Sequence, residues 1–272
     1  MPVLANPIIE TYSRLAEDYD AAPNLQSCWG RASEKAWALI SFADDCKVVL
    51  DVGCGTGRAL LNFASKGYAR TQFIGIEPAK NMRERATARI KDHENVLILD
   101  GRFEKIPLPS NSVDYLYSIL AFHWTTDLGT SVKEISRVLK PDGTMDLFFI
   151  GRNNGREFIR KTTPIFLKYL GPAQLLQSAL LRKQLTKDEA FRLFEAEFDS
   201  SRLTLEETYE KYYDTLEGHW NWWVRIEGQF VGIAPEARQR CDRELRSAIQ
   251  SLHGAQGIPY TIHQLHLRLR GN

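Results

Sequence analysis

The chain has 272 residues, with 35 Lys and Arg against 34 Asp and Glu, and a formal net charge of +1. This length suffices for one substantial hydrophobic core, and the charge balance does not attract nucleic acid or an anionic membrane. Charged residues interrupt the apolar N-terminal segment, and no apolar run approaches the ~20 residues that span a bilayer. Its cysteines form no Cys-x-x-Cys pair, which argues against a metal site and a disulfide scaffold. We therefore expect a cytoplasmic protein without a bound metal.

Strand and helix patterns alternate along the first half of the chain. Residues 7–20 have apolar side chains at three- and four-residue spacing, which predicts an amphipathic helix before the sheet. The elements predicted after it are strand 47–52, helix 60–65, strand 71–76, helix 81–92, strands 96–99 and 113–118, helix 128–139 and strand 144–150. This alternation indicates a doubly wound α/β fold, whose ligands bind at the carboxyl ends of parallel strands.

A glycine-rich loop follows the first predicted strand. Three glycines occupy alternate positions in it, namely Gly53, Gly55 and Gly57. Alternate glycines let the backbone fold tightly against a ligand, but Arg58 stands where a dinucleotide fingerprint has its last glycine. Asp51 at the end of the strand would repel a pyrophosphate. The same carboxylate suits a ligand with positive charge, such as the ammonium and sulfonium groups of S-adenosylmethionine.

A second acidic residue, Glu77, ends the next strand-like segment about twenty residues after the last glycine. This is the spacing expected for a carboxylate that accepts both hydroxyl groups of a ribose. Acidic residues on both sides of one glycine loop favour a nucleoside cofactor more strongly than either does alone.

These motifs resemble those of the class I S-adenosylmethionine-dependent methyltransferases. The resemblance covers residues 45–151 and is carried by segments 50–57, 75–82, 106–114 and 134–143. It implies a Rossmann-like seven-stranded methyltransferase sheet with an inserted helical lid. The implied units are N-terminal helices over the cofactor (1–46), a cofactor-binding core (47–151), a basic helical lid (152–197) and closing strands with aromatic-rich helices (198–272).

The resemblance also implies how S-adenosylmethionine is held. Asp51 and the three glycines would bind its methionine part, Glu77 its ribose, and Met82 would pack near its adenine. The other implied cofactor contacts are Tyr19, Cys54, Thr56, Pro78, Arg102, Phe103 and Leu120. Relatives place at the position of Arg102 an acidic residue that accepts a hydrogen bond from the adenine amino group, and arginine accepts none. Asp100 or the backbone N–H of Phe103 would have to substitute.

His123 and Tyr12 are the candidate catalytic residues. His123 follows the fourth strand, where the acceptor should approach, and an unperturbed pKa near ~6.5 would make it a base for a hydroxyl group. Alternatively it only packs or hydrogen-bonds beside Trp124. The N-terminal segment resembles the cofactor-covering helix of malonyl-carrier-protein and quinone-ring methyltransferases, which implies Tyr19 at the cofactor and Tyr12 at the acceptor. A helix that only caps the core is the alternative.

Two later segments bear on the acceptor. One is dense in aromatic and histidine residues, namely Tyr209, Tyr212, Tyr213, His219, Trp220, Trp222, Trp223 and Phe230. It would either form core or line an apolar acceptor pocket, in which Tyr209, Trp220 and Trp223 join Trp124. The other segment, residues 152–192, holds nine Lys and Arg against three Asp and Glu. It would form a solvated surface, attract an anionic acceptor or an acidic acyl carrier protein, or lie on a membrane surface.

The leading functional hypothesis is O-methylation of a hydrophobic small molecule in secondary-metabolite tailoring. This small molecule would also carry negative charge if the basic segment 152–192 contacts it. One alternative is carboxyl O-methylation of an acyl group on a carrier protein, since the chain resembles the malonyl-carrier-protein O-methyltransferases. Another is a catalytically silent partner that binds the cofactor. Nucleic acid is not expected as a partner, and membrane binding is not favoured.

Overall fold

A computed structural model describes residues 7–66, 68, 70–226 and 232–271, and in these ranges seven strands form one sheet in the order β3-β2-β1-β4-β5-β7-β6. The strands are β1 (Val48–Val52), β2 (Gln72–Ile76), β3 (Val96–Leu99), β4 (Val113–Ile119), β5 (Leu139–Ile150), β6 (Leu203–Asp214) and β7 (Ile258–Leu269). Strands β1 to β5 are parallel, whereas β7 is antiparallel to both β5 and β6. The predicted doubly wound α/β sheet is confirmed.

Helices pack on both faces of this sheet. The helices of the described ranges are α1 (Pro7–Leu15), α2 (Ala22–Leu25), α3 (Cys28–Leu39), α4 (Arg58–Ala64), α5 (Lys80–Arg89), α6 (Leu128–Val138), α7 (Arg156–Leu180), α8 (Lys187–Glu195), α9 (Leu216–Ile226) and α10 (Pro235–Gln250). In β1, Leu50 and Val52 pack in a cluster with α6 and α8, while Val49 packs in another with α3 and α4. Apolar residues on both sides explain the uninterrupted apolar run. No helix within the described ranges is long and apolar enough to cross a membrane.

The N-terminal helix is shorter than its pattern predicted. α1 ends at Leu15, and the chain then turns, with the N–H of Asp18 donating to the Leu15 carbonyl. The turn brings Asp20 to the glycine loop, where it accepts hydrogen bonds from Thr56 Oγ1 at 3.0 Å and from Arg89 Nη2 at 2.6 Å. A continuous helix over residues 7–20 is therefore wrong, because these polar contacts require a turn.

The closing strands also differ from the prediction. Leu265, Leu267 and Leu269 alternate with polar residues in the sequence, a pattern that predicts an antiparallel edge strand, but β7 lies between β5 and β6, and β6 forms the edge of the sheet. His266 is buried there and Arg268 is half-buried. His266 Nε2 and Arg268 Nε lie 2.5 and 3.1 Å from Oδ1 of the buried Asp146 in β5. The polar side chains of β7 thus contact a buried carboxylate, whereas the alternating pattern predicted that they contact water.

The basic segment consists of α7, α8 and the turn between them. α7 kinks at Gly171, whose φ is +73°, and packs against α10 through Lys168 Nζ, 2.6 Å from Glu244 Oε1. After α7 the chain returns to the sheet, where the N–H of Lys183 donates to the carbonyl of His123 at 2.8 Å. This contact brings residues 181–185 to the carboxyl end of β4.

Candidate functional site

The carboxyl ends of β1, β2, β4 and β5 meet at one edge of the sheet, and two adjoining cavities open there. The Asp51 chamber is lined by, among others, Trp29, Asp51, His123, Asn154, Arg182 and Trp222. The Glu77 cavity is lined by, among others, Glu77, Pro78, Met82, Arg102, Phe103 and Glu104. Tyr12, Tyr19, Gly53, Gly55, Leu120 and Trp124 line both. The shared residues show that the two cavities are parts of one crevice.

The glycine loop forms the floor of this crevice. Gly53 has a φ of +81°, and a Cβ atom there would lie 2.4 Å from the Cβ of Ala121. At Gly55, which has a φ of +56°, an added Cβ would meet no atom within 4 Å and would enter the open crevice. The loop therefore leaves room for a ligand against its backbone. Gly57 caps the start of α4 and is not among the lining residues.

Glu77 ties the glycine loop to the end of β2. Its Oε2 accepts a hydrogen bond from the N–H of Gly55 at 2.9 Å, and its Oε1 accepts one from the N–H of Ala79 at 2.8 Å. Burial raises the pKa of Glu77 to about 7. A carboxylate has acceptor capacity for about four hydrogen bonds, so Glu77 retains capacity for ribose hydroxyl groups.

Asp51 is a buried carboxylate at the base of its chamber, only 2% exposed. Burial, with a smaller contribution from the nearby Glu77, raises its pKa to about 8. A cation bound beside Asp51 would stabilise the ionised form. S-adenosylmethionine carries such positive charge together with a ribose, so Asp51, the open glycine loop and Glu77 fit this cofactor.

The other expected cofactor contacts lie around the same loop. Cys54 and Thr56 line the Asp51 chamber, and burial raises the pKa of the Cys54 thiol well above its usual value. Thr56 also holds the N-terminal turn, because its hydroxyl donates to Asp20 and accepts from Arg89 Nη1 at 2.9 Å. Arg89 thereby joins α5, the glycine loop and the segment that carries Tyr19.

Leu120 is held in a strained backbone conformation where the two cavities meet. Its φ is +56°, which costs a non-glycine residue about 1–2 kcal/mol, and its N–H donates to the Phe148 carbonyl at 2.7 Å. Backbone strain of this kind is concentrated at functional sites. The position is consistent with the predicted cofactor contact, which stays a prediction.

Tyr12 and Tyr19 bring the N-terminal segment into the crevice. The Tyr12 ring packs edge-on against the rings of Tyr19 and Trp124, with centroid distances of 6.1 and 6.2 Å. Burial raises the pKa of Tyr12 far above its usual range and that of Tyr19 to about 12. Both phenols stay protonated at neutral pH, so the role expected for Tyr12 at the acceptor, which stays a prediction, would be that of a hydrogen-bond donor or an apolar wall.

His123 does not have the basicity that an exposed histidine would have. Its side chain is 5% exposed and its ring lies beside Trp124, with a centroid distance of 4.9 Å. Burial, together with the positive charge of Arg182, lowers the pKa of His123 to about 3. Within the described part of the chain its Nδ1 has no hydrogen-bond partner. Desolvation disfavours the imidazolium form, so the burial of His123 speaks against the base role considered from the sequence, and that role stays a prediction.

The aromatic segment contributes a different residue from those predicted. Trp222 lines the Asp51 chamber and packs edge-on against Trp29, with a centroid distance of 5.5 Å. Trp220 lies against Arg246, and Trp223 is buried against Phe166. Because residues of one helix point in different directions, these two tryptophans of α9 lie outside both cavities, contrary to the expectation.

Tyr209 also lies outside the crevice. It belongs to the edge strand β6, is 52% exposed and stacks on His263, with a centroid distance of 4.4 Å. Tyr209 lies outside the predicted pocket because β6 is the edge strand of the sheet. The amino-acid composition of the segment does not reveal that position. Phe230 lies outside the described residues.

Sequence reasoning missed several residues of the Asp51 chamber. Trp29 comes from α3, Asn154 follows β5, and Arg182 lies in the turn between α7 and α8. Asn154 is anchored, since its Nδ2 donates to the Tyr260 hydroxyl at 2.9 Å. Arg182 belongs to the basic segment. The composition of that segment does not show which of its Lys and Arg residues faces the chamber and which lie on the surface.

Comparisons with known proteins match this core. Residues 50–146 match a family described as methyltransferase domain. The malonyl-[acyl-carrier protein] O-methyltransferase of Yersinia pestis is 36% identical over 138 residues, which are 50% of this chain and 47% of that protein. The chain thus spans about half the length of the curated relatives it matches.

Solved structures share the fold over most of the chain. YcgJ of Bacillus subtilis has a TM-score of 0.58 and 19% identity, covering 88% of this chain and 99% of that one. A methyltransferase from an antibiotic biosynthesis pathway of Anabaena variabilis has a TM-score of 0.60 and 21% identity, covering 87% and 96%. At these identities the likeness establishes the fold alone.

Proposed function

We propose that the chain is a class I S-adenosylmethionine-dependent methyltransferase that transfers a methyl group to an acceptor held in the Asp51 chamber. The match of residues 50–146 to the methyltransferase domain family and the similarity to the Yersinia pestis relative support this proposal. When bound, S-adenosylmethionine supplies an electrophilic methyl group on its sulfonium. The protein's residues then have to orient the acceptor and exclude water. Trp29, Trp124 and Trp222 provide apolar walls for this purpose.

The absence of a strong base in the described chamber lining indicates the acceptor atom. Besides the two arginines, the titratable side chains that line it are Tyr12, Tyr19, Asp51, Cys54 and His123. Burial keeps the phenols and the thiol protonated and makes His123 a weak base, while Asp51 is assigned to the cofactor. A carboxylate, with a pKa near ~4, needs no deprotonation at neutral pH. This observation supports carboxyl O-methylation.

Arg182 is suited to hold such a carboxylate. It lines the same chamber, and its charge lowers the pKa of both His123 and Tyr12, which places it in electrostatic reach of both. A guanidinium group binds a carboxylate through paired hydrogen bonds. We assign Arg182 to the anchoring of the acceptor and not to proton transfer.

The form of the acceptor that we favour is an acyl group on a carrier protein. The Yersinia pestis relative is named for a malonyl carrier protein, and a malonyl group offers one free carboxylate. Exposed Arg160, Lys161 and Lys187 on the basic segment support an acidic partner. The second candidate is a free hydrophobic molecule of secondary metabolism, which the tryptophan walls favour.

The product distinguishes these functions. The full chain would be incubated with S-adenosylmethionine labelled in its methyl group and with malonyl carrier protein, free malonate or an aromatic hydroxyl compound. We expect label on the malonyl carrier that mild alkali releases as methanol, because an ester hydrolyses and a methyl ether does not. Label confined to an alkali-stable product would favour the second candidate. Binding of S-adenosylmethionine without transfer to any of the three would favour a silent partner.

Arg182→Met should selectively weaken the anionic acceptor. We expect the KM for malonyl carrier protein to rise about tenfold or more, since one charged hydrogen-bonding pair is lost, while the Kd for S-adenosylmethionine stays within about twofold. Steady-state kinetics and calorimetry measure the two constants. Arg182→Lys should recover part of the loss, and Arg70→Met is the matched control, because Arg70 is exposed before the amino end of β2 and lies outside the basic segment. An unchanged KM for R182M would refute the anchoring role.

His123→Asn should leave the pH dependence of methyl transfer unchanged. The imidazole is already neutral above about pH 5, so its removal takes no titrating group from the reaction at neutral pH. We expect kcat to fall less than about tenfold, with parallel pH profiles between pH 6 and 8. The exposed His253→Asn is the control. Disappearance of an ionisation near neutral pH in H123N would show that His123 is the base after all.

A further inference from the structure

The Glu77 cavity raises the question of how adenine is recognised. Arg102 lines this cavity where relatives are expected to carry an acidic residue, and its guanidinium group offers only donors. The substitute considered from the sequence, Asp100, is not in the lining, and its carboxylate is 72% exposed and 3.3 Å from Arg83 Nη2. The acceptor for an adenine amino group must therefore come from another residue.

Glu104 is an acidic residue that does line the cavity, and its side chain is only 11% exposed. Its Oε1 is fixed by several donors of the turn 125–127. They are Thr125 Oγ1 at 2.7 Å, the Thr126 N–H at 2.5 Å, Thr126 Oγ1 at 2.6 Å and the Asp127 N–H at 3.3 Å. One carboxylate oxygen is thus held in place by the protein.

The other oxygen of Glu104 retains its acceptor capacity. The contact recorded for Oε2 within the described ranges is Arg102 Nε at 3.8 Å, which is longer than a hydrogen bond. Burial raises the pKa of Glu104, but the hydrogen bonds from Thr126 and Thr125 outweigh it, so the pKa lies below its ordinary value. The carboxylate is ionised at neutral pH and accepts hydrogen bonds without donating any.

We propose that Glu104 Oε2 accepts the hydrogen bond of the adenine amino group of S-adenosylmethionine, in the role that an acidic residue at position 102 has in relatives. The proposal rests on S-adenosylmethionine being the cofactor. The turn 125–127 orients the carboxylate by holding Oε1, and the Arg102 guanidinium lies near Oε2 and favours its charge. Glu104 then determines the preference for a 6-amino purine over a 6-oxo purine.

The test compares two ligands that differ at this one position, S-adenosylhomocysteine and its 6-oxo analogue S-inosylhomocysteine, by calorimetry. Glu104→Gln keeps an oxygen for the donors of the turn and presents an NH2 group in place of Oε2. Flipping the amide would set its donors against those of the turn. The NH2 group introduced by Glu104→Gln then faces the amino group of adenine, and two donors cannot form a hydrogen bond. The 6-oxo group of S-inosylhomocysteine, by contrast, can accept a hydrogen bond from that NH2 group. We expect S-adenosylhomocysteine to bind about 10- to 100-fold more weakly to E104Q, and S-inosylhomocysteine to bind as tightly as before or more tightly.

Glu134→Gln is the matched control, because Glu134 also accepts a hydrogen bond from a backbone N–H, that of Ile106 at 3.0 Å, but is not among the residues lining the cavity. It should leave the preference between the two ligands unchanged. If E104Q binds both ligands more weakly by the same factor, Glu104 only supports the turn 125–127. If E104Q binds both ligands with unchanged affinity, Glu104 does not contact the adenine amino group. If the unaltered protein binds neither ligand, the cofactor assignment fails and this inference fails with it.

Discussion

Glu77→Ala is expected to weaken S-adenosylmethionine binding about 100-fold or more. The substitution removes the acceptor of the Gly55 and Ala79 N–H groups and the acceptor expected for the ribose hydroxyl groups. A hydrogen bond to a charged group contributes about 1.5–3 kcal/mol, and the two N–H groups would be left without their partner. Calorimetry with S-adenosylmethionine and S-adenosylhomocysteine measures the loss.

Two further variants separate the carboxylate from the fold. Glu77→Gln keeps one oxygen and should lose less affinity than Glu77→Ala, whereas Glu84→Ala, at an exposed position of the neighbouring α5, should lose none. Circular dichroism would establish that all three variants are folded. Affinity of E77A within about threefold of the unaltered protein would contradict the assigned role of Glu77 in cofactor binding.

Asp51→Asn is expected to stabilise the unbound protein while weakening its affinity for the cofactor. In the folded state burial raises the pKa of Asp51 to about 8, whereas in the unfolded state it is near ~3.9. Between these values the folded state binds more protons, so ionisation of Asp51 lowers the stability progressively as pH rises. Asparagine carries no such cost. We expect the Tm of D51N to exceed that of the unaltered protein by several degrees at pH 8 and by less near pH 5.5.

The affinity of the same variant should change in the opposite sense. A cationic ligand binds the ionised form of Asp51, so the affinity of the unaltered protein should increase as pH rises from 6 towards 8. D51N should bind S-adenosylmethionine about 10- to 100-fold more weakly at pH 8, with a shallower pH dependence that reflects the pKa of Glu77 near 7. Thermal unfolding and calorimetry over this range test both effects. A variant that is less stable and binds equally well would contradict the role given to Asp51.

The cofactor half of the site was predictable because it depends on local sequence and on topology. A strand that ends in Asp51 and a glycine loop identify one end of a parallel strand, and the spacing to Glu77 identifies the next. Parallel neighbouring strands end at the same edge of a sheet, so the two carboxylates had to meet there. The fold class followed from the alternation of strand and helix patterns along the first half of the chain. That alternation did not predict the position of β7 between β5 and β6.

The acceptor half depended on contacts between distant segments. Trp29, Arg182 and Trp222 come from three parts of the chain, and no pattern near any of them shows that it faces the chamber. The same limit explains the misplacement of Tyr209 and Trp223, since density of aromatic residues does not give their direction.

The α/β class, the glycine loop and the carboxylates that suit S-adenosylmethionine could be read from the amino-acid order, because strand patterns and loop spacing are local properties. The low basicity of His123, the position of Glu104 beside Arg102 and the position of Arg182 at the chamber depend on contacts between distant parts of the folded chain. Burial and the approach of distant charges set these properties, and both arise only when the chain has folded.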